Sequence, residues 1–190
     1  DQFYTEGGYY QNNPDWHQAG SKFKAELVLE FISKFQLPTS LVVEVGCGAG
    51  EILVELMKSL PATSVLKGYD ISPQAIGIAT KKVSSRLSFQ LEDYTQSKVE
   101  RADLVLVLDV VEHIDDAYSF LRRLREKGKN FIFHIPLDMS CRTLLKPHVL
   151  LQQRTDVGHI HYFTEETMLW MLRDVGFDVE YLIYTKPDVD

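Results

Sequence analysis

Residues 42–50, VVEVGCGAG, set three glycines into five positions directly behind a valine-rich run. The valines read as a buried strand. The glycines read as a turn cleared of side chains so that a ligand can approach the backbone. Upstream, Phe23, Leu27, Val28, Phe31 and Ile32 recur at helical spacing between Lys22 and Phe35, and Pro38 follows the end. Downstream, EILVELMKSL (51–60) reads as a helix stopped by Pro61, and VLKGYDIS (65–72) as a second strand. Ser72-Pro73 opens a helix through Lys82, with proline in its first turn.

The alternation continues to the end of the chain. LSFQLEDY (87–94), ADLVLVLDV (102–110) and NFIFHIP (130–136) are expected as strands three to five, with an amphipathic helix over 115–127. Thr164 caps a helix that runs to Gly176, and FDVEYLIYT (177–185) reads as a last strand. Strands alternating with helices predict an α/β fold: a Rossmann-like, doubly wound, mostly parallel sheet with helices on both faces.

At 190 residues the chain is read as one domain, 1–190, with an N-terminal arm or lid over 1–20 and an insertion over 137–163. No run reaches the length of a membrane span, and the first residues lack the charged-then-apolar order of a signal peptide. Cys47 and Cys141 are too few for a disulfide framework, which points to a reducing, cytoplasmic compartment. The net charge of -7 speaks against a broad nucleic-acid surface, and the lack of a spanning run against a membrane partner. Nothing in the sequence fixes an oligomeric state.

Charge and spacing narrow the ligand. A dinucleotide turn needs a third glycine where Glu51 stands, and a phosphate loop needs a Lys-Ser or Lys-Thr that is absent. Glu44 and Glu51 flank the turn, which suits ammonium and sulfonium charge better than a pyrophosphate. Glu-x-Gly-x-Gly-x-Gly resembles the first motif of the class I S-adenosylmethionine-dependent methyltransferases, and the resemblance covers nearly the whole chain.

That resemblance implies a cofactor site built from Glu44, Gly46, Cys47, Gly48 and Gly50 at the turn. Asp70, followed by Ile71, would take the ribose hydroxyls; Asp93, followed by Tyr94, would read the adenine amino group. Leu108 and Asp109 would line the other side. The family usually adds an antiparallel seventh strand, and only KPDVD follows the last strand expected here.

DVVEHIDD (109–116) and GHIHYFTEET (158–167) most resemble the ubiquinone-biosynthesis O-methyltransferases. They imply transfer to a small-molecule acceptor, at oxygen, with His113 as general base, Glu112 orienting or anchoring, and His159 nearby. The plainer alternative is that Glu112 and His113 brace the following helix. An RNA 2′-O-methyltransferase holding a divalent metal on Asp109, Glu112, His113 and His159 is a second alternative, and a non-catalytic cofactor-binding regulator a third. Asp109 is one methylene shorter than the glutamate of such metal sites, so a metal-free pocket is the reading adopted. Tyr9, Tyr10, Trp16 and His17 are candidate lid residues; Arg142, Lys146 and Arg154 are candidate contacts for an anionic acceptor.

Overall fold

The computed structural model describes residues 20–185. The arm and its candidates Tyr9, Tyr10, Trp16 and His17 therefore lie outside the described residues. Helix α1 (Ser21–Phe35) leads into β1 (Leu41–Val45), α2 (Glu51–Ser59), β2 (Val65–Asp70) and α3 (Pro73–Ala79). β3 (Leu87–Leu91), β4 (Ala102–Leu108), α4 (Ala117–Arg125) and β5 (Gly128–His134) follow. The chain continues through α5 (Cys141–Leu144), α6 (Pro147–Asp156) and α7 (Glu165–Asp174).

The five strands form one parallel sheet in the order β3-β2-β1-β4-β5. The chain moves outward from β1 to β3, then returns to place β4 on the other side of β1. The order reverses between β1 and β4, so their carboxyl ends open the crevice where such sheets bind ligands. β4 is apolar on both faces because both are covered. Val42 belongs to the core layer under α1, α2 and α3, with Val28, Leu53, Leu56 and Ile76. Val43 and Val45 belong to the opposite layer, with Leu121 and Leu124 of α4 and Met168 and Leu172 of α7. The period-two alternation of a strand thus divides neighbouring valines between two cores.

The expected caps form. Ser72 accepts a hydrogen bond from Ala75 N–H with Pro73 in the first turn, and Thr164 closes a reciprocal box with Thr167. Several ends differ from the sequence reading. The helix expected through Lys82 stops at Ala79 and tightens into a 3₁₀ turn, Thr80–Lys82. β3 stops at Leu91, because the Asp93 carboxylate accepts from Thr95 N–H and folds Tyr94–Gln96 into another 3₁₀ turn. β4 stops at Leu108, because Asp109 adopts a left-handed φ of 55° that turns the chain away.

The largest departure is at the end. Residues 177–185, expected as a sixth strand, make no ladder pairing. Side-chain anchors hold the segment instead. Phe177 meets Phe131 and Phe133 edge-on, with centroids at 5.0 and 5.3 Å, while Tyr181 is held by Phe31 and Phe35 of α1 at 5.7 and 5.3 Å. A groove of about 1140 Å³ runs along β5 between α1, α7 and this segment. No helix among the described residues is long and apolar enough to cross a membrane.

Candidate active site at the strand tips

The glycine turn is shaped by packing as well as by its left-handed backbone. Gly46 and Gly50 have φ of 71° and 82°. A Cβ on Gly46 would lie 2.5 Å from Val110 Cγ2, and one on Gly50 would lie 2.5 Å from the Phe89 ring. Four of the turn's N–H groups are spent inside the fold. Gly46 and Cys47 both donate to Tyr69 O, Gly50 donates to Cys47 O, and Gly48 donates to Asp70 Oδ2. A phosphate-binding loop aims such donors at its ligand. This turn does not, which agrees with the exclusion of a pyrophosphate.

Carboxylates surround the turn. Glu44 is buried, its Oε2 has no hydrogen-bond partner among the described residues, and burial pushes its pKa up to about 8, with Lys24 opposing and Asp70 adding to the rise. Asp70 caps β2. Its Oδ1 accepts from Ser72 N–H at 2.8 Å and its Oδ2 from Gly48 N–H at 2.8 Å. One lone pair on each oxygen remains for further donors, the bidentate arrangement that two vicinal hydroxyls need. Burial raises the Asp70 pKa against these backbone hydrogen bonds. Ile71 follows at the same tip, half-buried.

Asp93 and Tyr94 separate in role. The half-buried Asp93 holds its turn with both oxygens, accepting from Thr95 N–H and Oγ1 and from Gln96 Nε2. Tyr94 is fully buried, 4.8 Å from Tyr69 between ring centroids, with its hydroxyl donating to Lys127 O. It therefore supports the crevice from the core. Cys47 is buried, and desolvation keeps it a thiol well above the ordinary range. Leu108 lies buried at the end of β4, next to the crevice.

Beyond β4 the chain makes a 3₁₀ turn, Val111–His113, and a distant segment docks on it. The Glu112 carbonyl accepts from Ile160 N–H at 2.9 Å and His161 N–H at 3.1 Å. This brings His159 beside His113, with ring centroids 4.9 Å apart. His113 Nδ1 donates to Gly158 O at 3.2 Å, so its lone pair is on Nε2, 3.7 Å from Glu112 Oε1. Burial, aided by His159, lowers the His113 pKa to about 4, against the pull of the Gly158 carbonyl. Both Glu112 carboxylate oxygens are buried without a hydrogen bond among the described residues. Burial and the charge of Asp109 push that carboxyl well upward. His159 Nδ1 bonds Asp138 Oδ2 at 2.6 Å, while His161 Nε2 bonds Ile114 O at 2.9 Å and serves the loop.

Of the four side chains named in the metal alternative, three come together. Ligand atoms of Glu112, His113 and His159 lie within 4.8 Å of one another, and Asp109 is not among them. The Asp109 carboxylate bonds His134 Nδ1 at 2.5 Å and pairs with Lys24 of α1. Desolvation would raise its pKa, but His134 and Lys24 hold it down to about 2. Arg142, Lys146 and Arg154 are exposed on the insertion, away from any ion pair in the described residues. Lys24, His134 and Asp138 escaped the sequence reading. The first lies in an ordinary amphipathic helix and the others at the unmarked end of β5, so no local motif signals them.

A Rossmann-like sheet with a donor-poor glycine turn and an acid at the β2 tip defines a nucleoside-cofactor domain. Comparison with known proteins makes this specific. The chain belongs to the Methyltransferase domain family, which matches residues 16–182. The ubiquinone biosynthesis O-methyltransferase of Rhodopseudomonas palustris (strain BisA53) is 36% identical over 88 residues, 43% of this chain and 33% of that protein. The Hydrogenovibrio crunogenus protein of the same name is 26% identical over 128 residues, 63% of this chain and 52% of that protein. The chain thus spans a third to about half of these curated relatives. Among solved structures, the magnesium protoporphyrin IX methyltransferase of Synechocystis PCC 6803 with bound SAH has a TM-score of 0.68 at 22% identity, covering 95% of this chain and 88% of that one. A putative methyltransferase in complex with the Haloferax volcanii Trm112 activator has a TM-score of 0.70 at 17% identity, covering 97% and 80%. These two likenesses are of fold.

Proposed function

We propose that this chain transfers a methyl group from S-adenosylmethionine to an oxygen of a small-molecule acceptor. The observation that carries the reading is the adjacency of two sites at neighbouring strand tips. One is the crevice of Glu44 and Asp70; the other is the buried cluster of Glu112, His113 and His159. The cofactor's charges fit the crevice. The unpartnered Glu44 oxygen suits its ammonium, the spare Asp70 lone pairs suit its ribose hydroxyls, and the turn offers few donors to an anion. Asp93, Ile71 and Leu108 would bound the adenine.

S-adenosylmethionine supplies a methyl group on a sulfonium centre that an aligned nucleophile can take. The chain's own part is to hold the acceptor and remove its proton. His113 is kept neutral by burial, its Nδ1–H is fixed on Gly158 O, and its basic lone pair is therefore on Nε2. His159, aligned by Asp138, bounds the same space. Glu112, pushed toward its protonated form, keeps the cluster from carrying excess negative charge. The relatives' names support oxygen as the target, and the net charge of -7 disfavours RNA. The free thiols Cys47 and Cys141 support the cytoplasm as the place of reaction.

The test is incubation with methyl-labelled S-adenosylmethionine and a panel of phenols and catechols, with RNA as contrast. Label on a hydroxyl compound, matched by S-adenosylhomocysteine, supports the reading. Label on RNA overturns it, and cofactor binding without turnover favours the regulator. A second reading has its own observation. Glu112, His113 and His159 are a compact oxygen-and-nitrogen donor set, with Asp138 and the Gly158 carbonyl holding the far ring nitrogens as supporting groups do around metals. Under that reading Glu112, His113 and His159 would hold a divalent cation, which would polarise the acceptor. Loss of turnover in chelator, restored by added cation, selects it.

A further inference from the structure

Lys24 has no role in the reading so far, yet it stands inside the site. It projects from α1 onto Asp109 at the β4 tip, and its charge acts on Glu44 at the β1 tip and on Glu112. The pair is partly accessible to solvent: the Lys24 side chain is 24% exposed and that of Asp109 29%. An ammonium has three donors, and Asp109 occupies part of them. The other lysine near the glycine turn, Lys82, is drawn to the far flank. There it donates to Ala49 O at 2.7 Å and pairs with Glu51 at 2.5 Å.

The cofactor's amino-acid end poses a charge problem that these positions resolve. Its ammonium and carboxylate are carried on one carbon, so an anion for the first must stand beside a cation for the second. Asp109 is held ionised and Glu44 must ionise to pair with the ammonium, so an unaccompanied carboxylate would be repelled there. Lys24 beside Glu44 supplies the missing cation. We propose that Lys24 binds the methionyl carboxylate of the cofactor while Asp109 holds the lysine in place. The inference rests on S-adenosylmethionine being the cofactor and adds to it the residue that reads one end.

Calorimetric titration of the full chain with S-adenosylmethionine and with its decarboxylated analogue tests this, because the two ligands differ in that carboxylate. The wild type is expected to bind S-adenosylmethionine tenfold or more tightly than the analogue. Lys24→Met, which keeps the stem and removes the charge, should remove most of that preference, with analogue affinity within about twofold of wild type. Lys24→Arg should retain it. Equal loss for both ligands in Lys24→Met would assign the residue to structural support, and no wild-type preference would overturn the proposal without any variant. Absence of S-adenosylmethionine binding to the wild type would overturn the cofactor reading itself.

Discussion

Glu44→Gln is the substitution that most directly tests the crevice. Burial places the Glu44 pKa at about 8, so in the free protein the side chain is protonated at neutral pH. Pairing with an ammonium needs the carboxylate, so binding must expel that proton. From the elevated pKa, at pH 6.5 only about 3% of free protein holds Glu44 ionised. Binding should release about one proton and gain about tenfold in affinity per pH unit between about 5.5 and 7. An α-amino group itself titrates at about 7.7–8.0, so the comparison stays below pH 7. Calorimetry in two buffers of different ionisation enthalpy reads the proton directly. In Glu44→Gln the proton release and the slope should both vanish. A second readout follows from the sign of the shift. Because the folded pKa lies above the unfolded one, the folded state binds more protons between 4.5 and about 8, and stability falls as pH rises through that window. Glu44→Gln should therefore gain in melting temperature over wild type more at pH 8 than at pH 5. A wild-type slope near zero, or the same slope in the variant, would refute the reasoning.

His113→Gln should lower turnover by about 10²–10⁴-fold while cofactor affinity is spared, as measured by rate and calorimetry on one preparation. Because its pKa is about 4 rather than near 6.5, the wild-type rate should stay level from pH 8 to about 5 and fall below that; a midpoint near 6.5 would count against the buried neutral base. The same depressed pKa means that wild-type stability is lost as pH falls from 6.5 toward about 4, and His113→Gln should remove that share of the acid sensitivity. Gly50→Ala places a Cβ 2.5 Å from Phe89 at a φ of 82°, for a cost of about 1–3 kcal/mol from overpacking alone. At about 2–4 °C per kcal/mol for a chain this size, the melting temperature should fall by several degrees, and unchanged melting would show that Phe89 yields freely.

The sheet's centre and the glycine turn were legible because their signals are local. VVEVGCGAG carries strand, turn and helix start within nine residues, and its glycines are required by φ and by Val110 and Phe89. Asp70 reads as a strand-tip acid because the strand before it and Ser72-Pro73 after it bracket its position. The cluster of Glu112, His113 and His159 was named from a resemblance, but its closeness depends on a Gly158 carbonyl 45 residues from His113. Asp109 was assigned to the cofactor's far side from a resemblance, and its partners Lys24, 85 residues away, and His134 carry no local signal. Residues 177–185 alternate as a strand should, but pairing requires an edge at the right distance, and anchors on Phe31, Phe35, Phe131 and Phe133 set that distance. Periodicity and turn chemistry act over a few residues, so by itself the chain determined most of its elements, their parallel arrangement and the acids at their tips. Which carboxylates stay unpaired, which histidine loses its charge and which lysine enters the crevice depend on burial and on charges brought together across the fold, and those only the tertiary structure decided.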